Sequence, residues 1–294
     1  VKKIFGDSEL NEKMKKAGYR FSSANSINIG RLVPQIVYYV YAYAELYRRN
    51  EIKRGEEINF VVPTGNFGNI LAAYYAKRMG LPVGKLICAS NDNKVLFDFF
   101  QTGIYDRNRE FILTISPSMD ILVSSNLERL IYHISGDDEH KTAELMQALS
   151  IGGRYEITDD MRKNLKDFCG GYATVEETKK AIYKIYKETG YVLDTHTAVA
   201  AGVYDKYFKD DIDPSKTVIV STASPYKFAE SVLEAIGIED IPEDDYEQAK
   251  LLREISGLPV PGAVEELNFA EIRHNRVCEP GKMKSEVEEI LKII

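Results

Sequence analysis

The chain has 294 residues, 44% of them hydrophobic, enough to bury a large core in one large domain or two smaller ones, which excludes an intrinsically disordered protein. Its net charge of -7, with no stripe of interleaved basic and aromatic residues, argues against a nucleic-acid partner, which needs a basic surface to neutralise phosphates. Three cysteines, Cys88, Cys169 and Cys278, are odd in number and lack C-x-x-C spacing, so a reducing, cytoplasmic compartment is expected rather than a disulfide framework.

Up to Arg20 the chain is charged and mixed, and a polar linker then leads into a helix beginning near Arg31. Residues 32–47 are the most membrane-like stretch, yet they contain Gln35, Glu45 and several tyrosines and fall short of the roughly 18 apolar residues a span needs. A buried or half-buried helix is predicted there, and no membrane partner. No signal peptide is visible, although the chain opens on Val1 rather than Met, which leaves its natural start open.

Strand 58–62, helix 67–79, strand 85–89 and helix 94–101 then alternate, the pattern of a parallel sheet covered by helices. Ligands of such sheets sit at the C-terminal ends of the strands, where 65–69 and 90–93 fall. From about 114 to 191 the strand pattern gives way to helices with cap signals, read as a helical insertion. Ser125 with Glu128 and Thr174 with Glu177 both have capping-box spacing, and Gly190 is placed to end the second helix. Strand 217–221 and a helix near 227–235 resume the sheet pattern. An acidic, Pro/Gly-punctuated tail closes with a peripheral amphipathic helix at 284–293.

The most informative run is 58–70, a buried strand that breaks into P-T-G-N-F-G-N and opens a helix. Two glycines let the backbone turn sharply, and the N–H groups of 66–69 then face one point, an anion cradle. Each charge-assisted hydrogen bond to a phosphate there contributes roughly 1.5 to 3 kcal/mol before desolvation. The alternative is a plain Gly/Asn turn. The loop matches neither G-x-x-x-x-G-K-[ST] nor G-x-G-x-x-G. His133, His140 and His274 show no paired spacing, so no metal site is expected, and there is no G-x-S-x-G.

Read together with S-A-N-S-I-N-I-G-R at 23–31, S-P-S-M-D-I at 116–121, S-S-N-L-E-R at 124–129, D-T-H-T-A-V-A at 194–200 and S-T-A-S-P-Y-K-F at 221–228, the loop resembles threonine synthase, most closely its bacterial and fungal branch. The resemblance covers nearly the whole chain, thinning after about 246 and within 142–191. It implies an α/β, tryptophan-synthase-β-like fold, fold type II of the pyridoxal 5'-phosphate (PLP) enzymes. It also implies conversion of O-phospho-L-homoserine and water to L-threonine and phosphate by a monomer or homodimer. On this view 1–22 end a smaller N-terminal domain or linker, 23–113 with 192–245 form the PLP-binding domain, 114–191 the helical insertion, and 246–294 a tail.

The resemblance assigns the cofactor phosphate to Gly65, Asn66, Phe67, Gly68 and Asn69, with Phe67 serving either through its ring or through its N–H alone. It assigns the pyridine nitrogen to Thr222, a neutral partner and so a milder electron sink than a carboxylate provides; the alternative is a strand-end Thr capping the next helix. The substrate phosphate goes to Asn25, Ser26 and Arg31, the arginine gripping phosphate with its planar fork, or else these are turn formers and a solvated helix-start residue. His196 either contacts the site or is structural, and Asn91 and Asn93 either support the loop or are turn residues.

One departure matters. The family's Schiff-base lysine lies well upstream of the phosphate loop in an F-K-D-like setting. Lys2, Lys3, Lys13, Lys15, Lys16 and Lys53 precede the loop here without that context, and Lys166-Asp167-Phe168 follows it. The chain is therefore expected to be a C-terminal part of such an enzyme and inactive alone. The competing readings are another fold type II lyase such as threonine dehydratase, and a non-catalytic phosphoryl-ligand binding protein.

Overall fold

The computed structural model describes residues 2–22, 27–208 and 215–293. Four parallel strands form its central sheet in the order β5-β2-β1-β6, with β1 at Ile58–Pro63, β2 at Val83–Ser90, β5 at Phe168–Tyr172 and β6 at Thr217–Ile219. Every residue of β1 is buried, as its nearly unbroken apolar run requires of an inner parallel strand covered on both faces. Pro63, which has no N–H to pair, comes last in the strand, where the ladder is ending.

Helices Gly68–Arg78 and Val95–Thr102 cover one face of the sheet, and helix Thr195–Tyr207 covers the other. The chain leaves β1 toward the first face. After β6 it enters helix Ala229–Ala235, which packs with helices Val175–Thr189 and Thr195–Tyr207 on the second face. Neighbouring strands β1 and β6 thus send their exits to opposite sides of the sheet, which opens a crevice between their C-terminal ends, the place where ligands of wound sheets bind.

Residues 114–191 are not purely helical, as the sequence suggested. Within them β5 adds a strand beside β2, and β4 at Arg154–Glu156 pairs antiparallel with β3 at Ile104–Asp106. The signature of β5 is weak because its core is Gly170-Gly171. Side chains there would meet Phe97 and Phe100 on one face and Val203 and Tyr207 on the other, so the glycines serve close packing rather than a turn. The capping box of Thr174 and Glu177 forms, and Gly190 takes the left-handed conformation that ends that helix. Ser125 and Glu128 form none. The helix there begins at Leu127 with Asn126 as its N-cap and no side-chain cap bond.

Helix Ile36–Arg48 is half-buried, as expected, with Ile36, Ala42, Tyr43 and Leu46 packed against the core. Tyr39 alone among its residues is fully buried, packed edge-on against Phe60, whereas Val37, Tyr38 and Tyr41 stand 59–65% exposed. No other described element covers that apolar side. The terminal helix Met283–Leu291 sits against the first part of the chain, with Lys13 bonded to Glu288 at 2.8 Å and Lys284 to Asp7 at 3.0 Å. No described helix is long and apolar enough to cross a membrane.

Candidate functional site: an anion loop at the switch point

The loop after β1 is held by its carbonyls. Ser124 Oγ donates to the Gly65 carbonyl at 2.7 Å, and the Asn126 N–H and side-chain amide both donate to the Asn66 carbonyl, at 3.1 and 2.8 Å. With those oxygens turned toward 124–126, the N–H groups of Asn66, Phe67, Gly68 and Asn69 have no protein acceptor among the described residues. Four open donors stand at the start of an eleven-residue helix, where the positive end of its dipole adds to them, an arrangement suited to an anion.

Phe67 supplies the turn. It adopts φ 63°, a left-handed conformation uncommon for a non-glycine residue, while its ring lies buried against Phe100 and Phe168. The ring is therefore core, and only the N–H faces the cradle. Gly65 has a different reason to be glycine: a Cβ there would lie 2.5 Å from the Ser118 carbonyl, so the loop enters pressed against the 116–120 turn. The side chain of Asn69 accepts a 2.7 Å hydrogen bond from Tyr39, which ties helix Ile36–Arg48 to the cradle.

Thr222 lies across the crevice. The β1–β6 register pairs Val61 with Ile219, so Thr222 comes as far beyond the β6 pairing as Thr64 comes beyond that of β1. It is exposed, and its N–H donates to Thr197 Oγ1 at 3.4 Å, at the start of helix Thr195–Tyr207. The side chain shows no helix-capping role, since Ser224 caps the short helix that follows.

Arg31 lies exposed on the short helix Ile29–Leu32, which packs on the helix opened by the anion loop. A relay joins the two regions: Arg129 contacts Asn126 Oδ1 and donates to the Ile27 carbonyl at 3.0 Å, while Asn126 holds Asn66. Asn25 and Ser26 lie outside the described residues. Lys166 is exposed just before β5, on the sheet edge opposite the crevice, and has no place in the site.

His196 is not at an open surface. It is 4% exposed, its ring 4.8 Å from that of Phe228, and its Nε2 accepts the Ser118 N–H at 3.1 Å. Burial lowers its pKa, against the opposing pull of Asp194, so the ring is neutral near pH 7. Of the two readings, the bond to the turn beneath the loop gives His196 a structural role. Asn91 and Asn93, both buried, anchor the other side of that turn: Asn91 donates to Asp120 at 2.7 Å, and Asn93 to the Ile112 carbonyl at 2.9 Å.

Sequence reasoning missed Ser124, Asn126 and Arg129 as loop supports. The signal was the S-S-N-L-E-R motif, whose Ser125 and Glu128 suggested a helix cap; Ser125 Oγ instead reaches Asn66 Oδ1 at 3.3 Å.

A wound parallel sheet, an amide cradle after its central strand and a second strand end across the switch point define an α/β protein of PLP fold type II. The family model described as "Threonine synthase, C-terminal" matches residues 197–265. Threonine synthase-like 1 of Homo sapiens is 40% identical over 299 residues, covering 99% of this chain and 40% of its own length. The crystal structure of threonine synthase from yeast superposes with a TM-score of 0.81 at 32% identity, covering 99% of this chain and 56% of that one. The PLP-bound threonine synthase from Brucella melitensis gives 0.72 at 36% identity, covering 87% and 51%. Sequence and fold together make this a threonine synthase-like chain, one that spans about half the length of the relatives it matches.

Proposed function

We propose that the chain carries the phosphate-holding half of a PLP site that converts O-phospho-L-homoserine and water to L-threonine and phosphate. The observation that carries this reading is the set of open N–H groups at 66–69, with the carbonyls of 65 and 66 bonded elsewhere. The residues present fit the cofactor: Gly65, Asn66, Phe67, Gly68 and Asn69 would hold its phosphate, and Thr222 would face its pyridine nitrogen. PLP, when bound, supplies the electron sink for carbanion chemistry next to the substrate amino group. A hydroxyl at Thr222 holds a proton on that nitrogen less firmly than a carboxylate would.

Arg31, with Asn25 and Ser26, would grip the substrate phosphate, whose charge needs a cation because it departs as phosphate. The covalent lysine has no counterpart in family context within these 294 residues. The chain therefore binds without turning over unless a lysine-bearing segment completes it. That absence also favours a second reading, a phosphoryl-ligand binding protein without catalysis. Three free cysteines, one buried and two half-buried, suit a reducing cytoplasm, with a monomer or homodimer as the assembly.

Titrating the chain with PLP and then with O-phospho-L-homoserine tests the proposal. Saturable PLP binding, and substrate binding lost in Arg31→Ala while PLP affinity stays unchanged, are expected. In a form completed by the lysine-bearing segment the same substitution lowers kcat/KM with the cofactor still bound. PLP binding untouched by changes at 65–69 would end the proposal, and turnover without a supplied lysine would end the account of the missing amine.

A further inference from the structure

We propose that His196 and Asp120 are positioning residues for the anion loop, acting through the 116–120 turn on which Gly65 rests. The inference rests on residues 65–69 being the phosphate loop, and it gives His196 a role other than substrate contact.

The turn is placed from three sides. Met119 is buried among Val61, Ile87 and Ala89, beneath the crevice. The Asp120 carboxylate accepts from the Thr114 N–H at 2.9 Å, the Thr114 hydroxyl at 2.7 Å, and the amides of Asn91 and Asn93 at 2.7 and 3.2 Å. The Ser118 N–H donates to His196 Nε2. The carbonyl of that same residue meets Gly65, so any shift of Ser118 carries into the loop entry. Interiors packed this closely transmit displacement rather than absorb it.

The bond from Ser118 requires an unprotonated Nε2, because an imidazolium has only donors. The charged groups facing the ring are Asp194, 3.7 Å from Nδ1, together with Asp120 and Lys227. Asp194 is already engaged as the cap of helix Thr195–Tyr207, accepting from the N–H groups of His196 and Thr197. Protonating His196 therefore sets two donors against each other at Ser118 and releases the turn.

The test is NMR on the full 294-residue chain, reading the amide exchange of Ser118 and the backbone order parameters of 66–69, with PLP titrated in parallel. His196→Leu should speed Ser118 exchange at least 5- to 10-fold, as expected for one lost hydrogen bond. It should also take the loop from about 0.85 in order parameter toward 0.6 or below. Asp120→Ala should do the same, whereas His196→Gln, which keeps an acceptor, should restore wild-type values. Lowering the pH below 6.5 until the buried His196 ring is seen to protonate should loosen 66–69 in the wild type and not in His196→Gln.

Unchanged order parameters in His196→Leu, or the same pH response in His196→Gln, overturns the proposal. Should the leucine variant not fold, the pH comparison between wild type and glutamine decides alone. If the loop responds as expected but no form of the chain binds PLP, the cofactor assignment fails and the positioning role stands.

Discussion

The two strands that flank the crevice end in different ways. All six residues of β1 are buried, and its exit loop is braced by Ser124, Asn126 and the turn at Ser118. The three residues of β6 are only half-buried, and its exit at Ser221 and Thr222 is exposed, tied to helix Thr195–Tyr207 through Thr197. One wall of the site is thus finished by this chain's own packing. The other is a sheet edge with an open face, so the proposed phosphate cradle lies on the finished side.

The largest effect is expected at the braced wall. Gly65→Ala forces a Cβ against the Ser118 carbonyl and should cost about 1–3 kcal/mol in urea unfolding, with PLP binding lost. An unchanged unfolding midpoint would show that the loop is not pressed on the turn. Asn126→Ala removes both the side-chain donor to Asn66 and the acceptor for Arg129, in a fully buried position, and should cost about 1–2 kcal/mol. Preserved stability together with full PLP affinity would mean that the loop holds its own shape.

Acidification probes the same wall more gently. The pKa of His196 is lowered in the folded chain by burial, so the unfolded chain binds more protons between that value and the ordinary 6.5. Its contribution to stability is complete above about pH 6.5 and falls as pH drops through and below that value. The unfolding midpoint should decline over that window in the wild type and decline less in His196→Gln. The open wall should respond least: Thr222→Val, at an exposed strand end, should leave stability within about 0.5 kcal/mol. It should weaken PLP without changing the affinity for inorganic phosphate, because only the ring would lose a partner. Equal weakening of both would place Thr222 at the phosphate instead.

How far the sequence could be read depended on whether the signal was local. The nearly unbroken apolar run of β1, the glycine loop and the Thr174–Glu177 cap are decided by neighbours within a few positions, and each forms where expected. β5 was hidden because Phe-Cys-Gly-Gly-Tyr has no strand periodicity; its glycines answer to Phe97 and Val203, which are distant in sequence. Ser125 and Glu128 have perfect cap spacing, yet Ser125 turns to Asn66, a partner no spacing rule contains. His196 was legible as a residue near the site. That its ring supports Ser118 needed the fold.

From the sequence alone come the strand-loop-helix unit at 58–78, the order of the motifs along the chain and the lack of a lysine in the family's setting. These are properties of composition and short-range spacing, which the chain carries whether or not it is folded. Only the tertiary structure decided that the amides of 66–69 stay open. Loop carbonyls take whatever donors lie nearest, and here Ser124 and Asn126, far along the chain, arrive to bond those of Gly65 and Asn66 and leave the N–H groups facing the crevice.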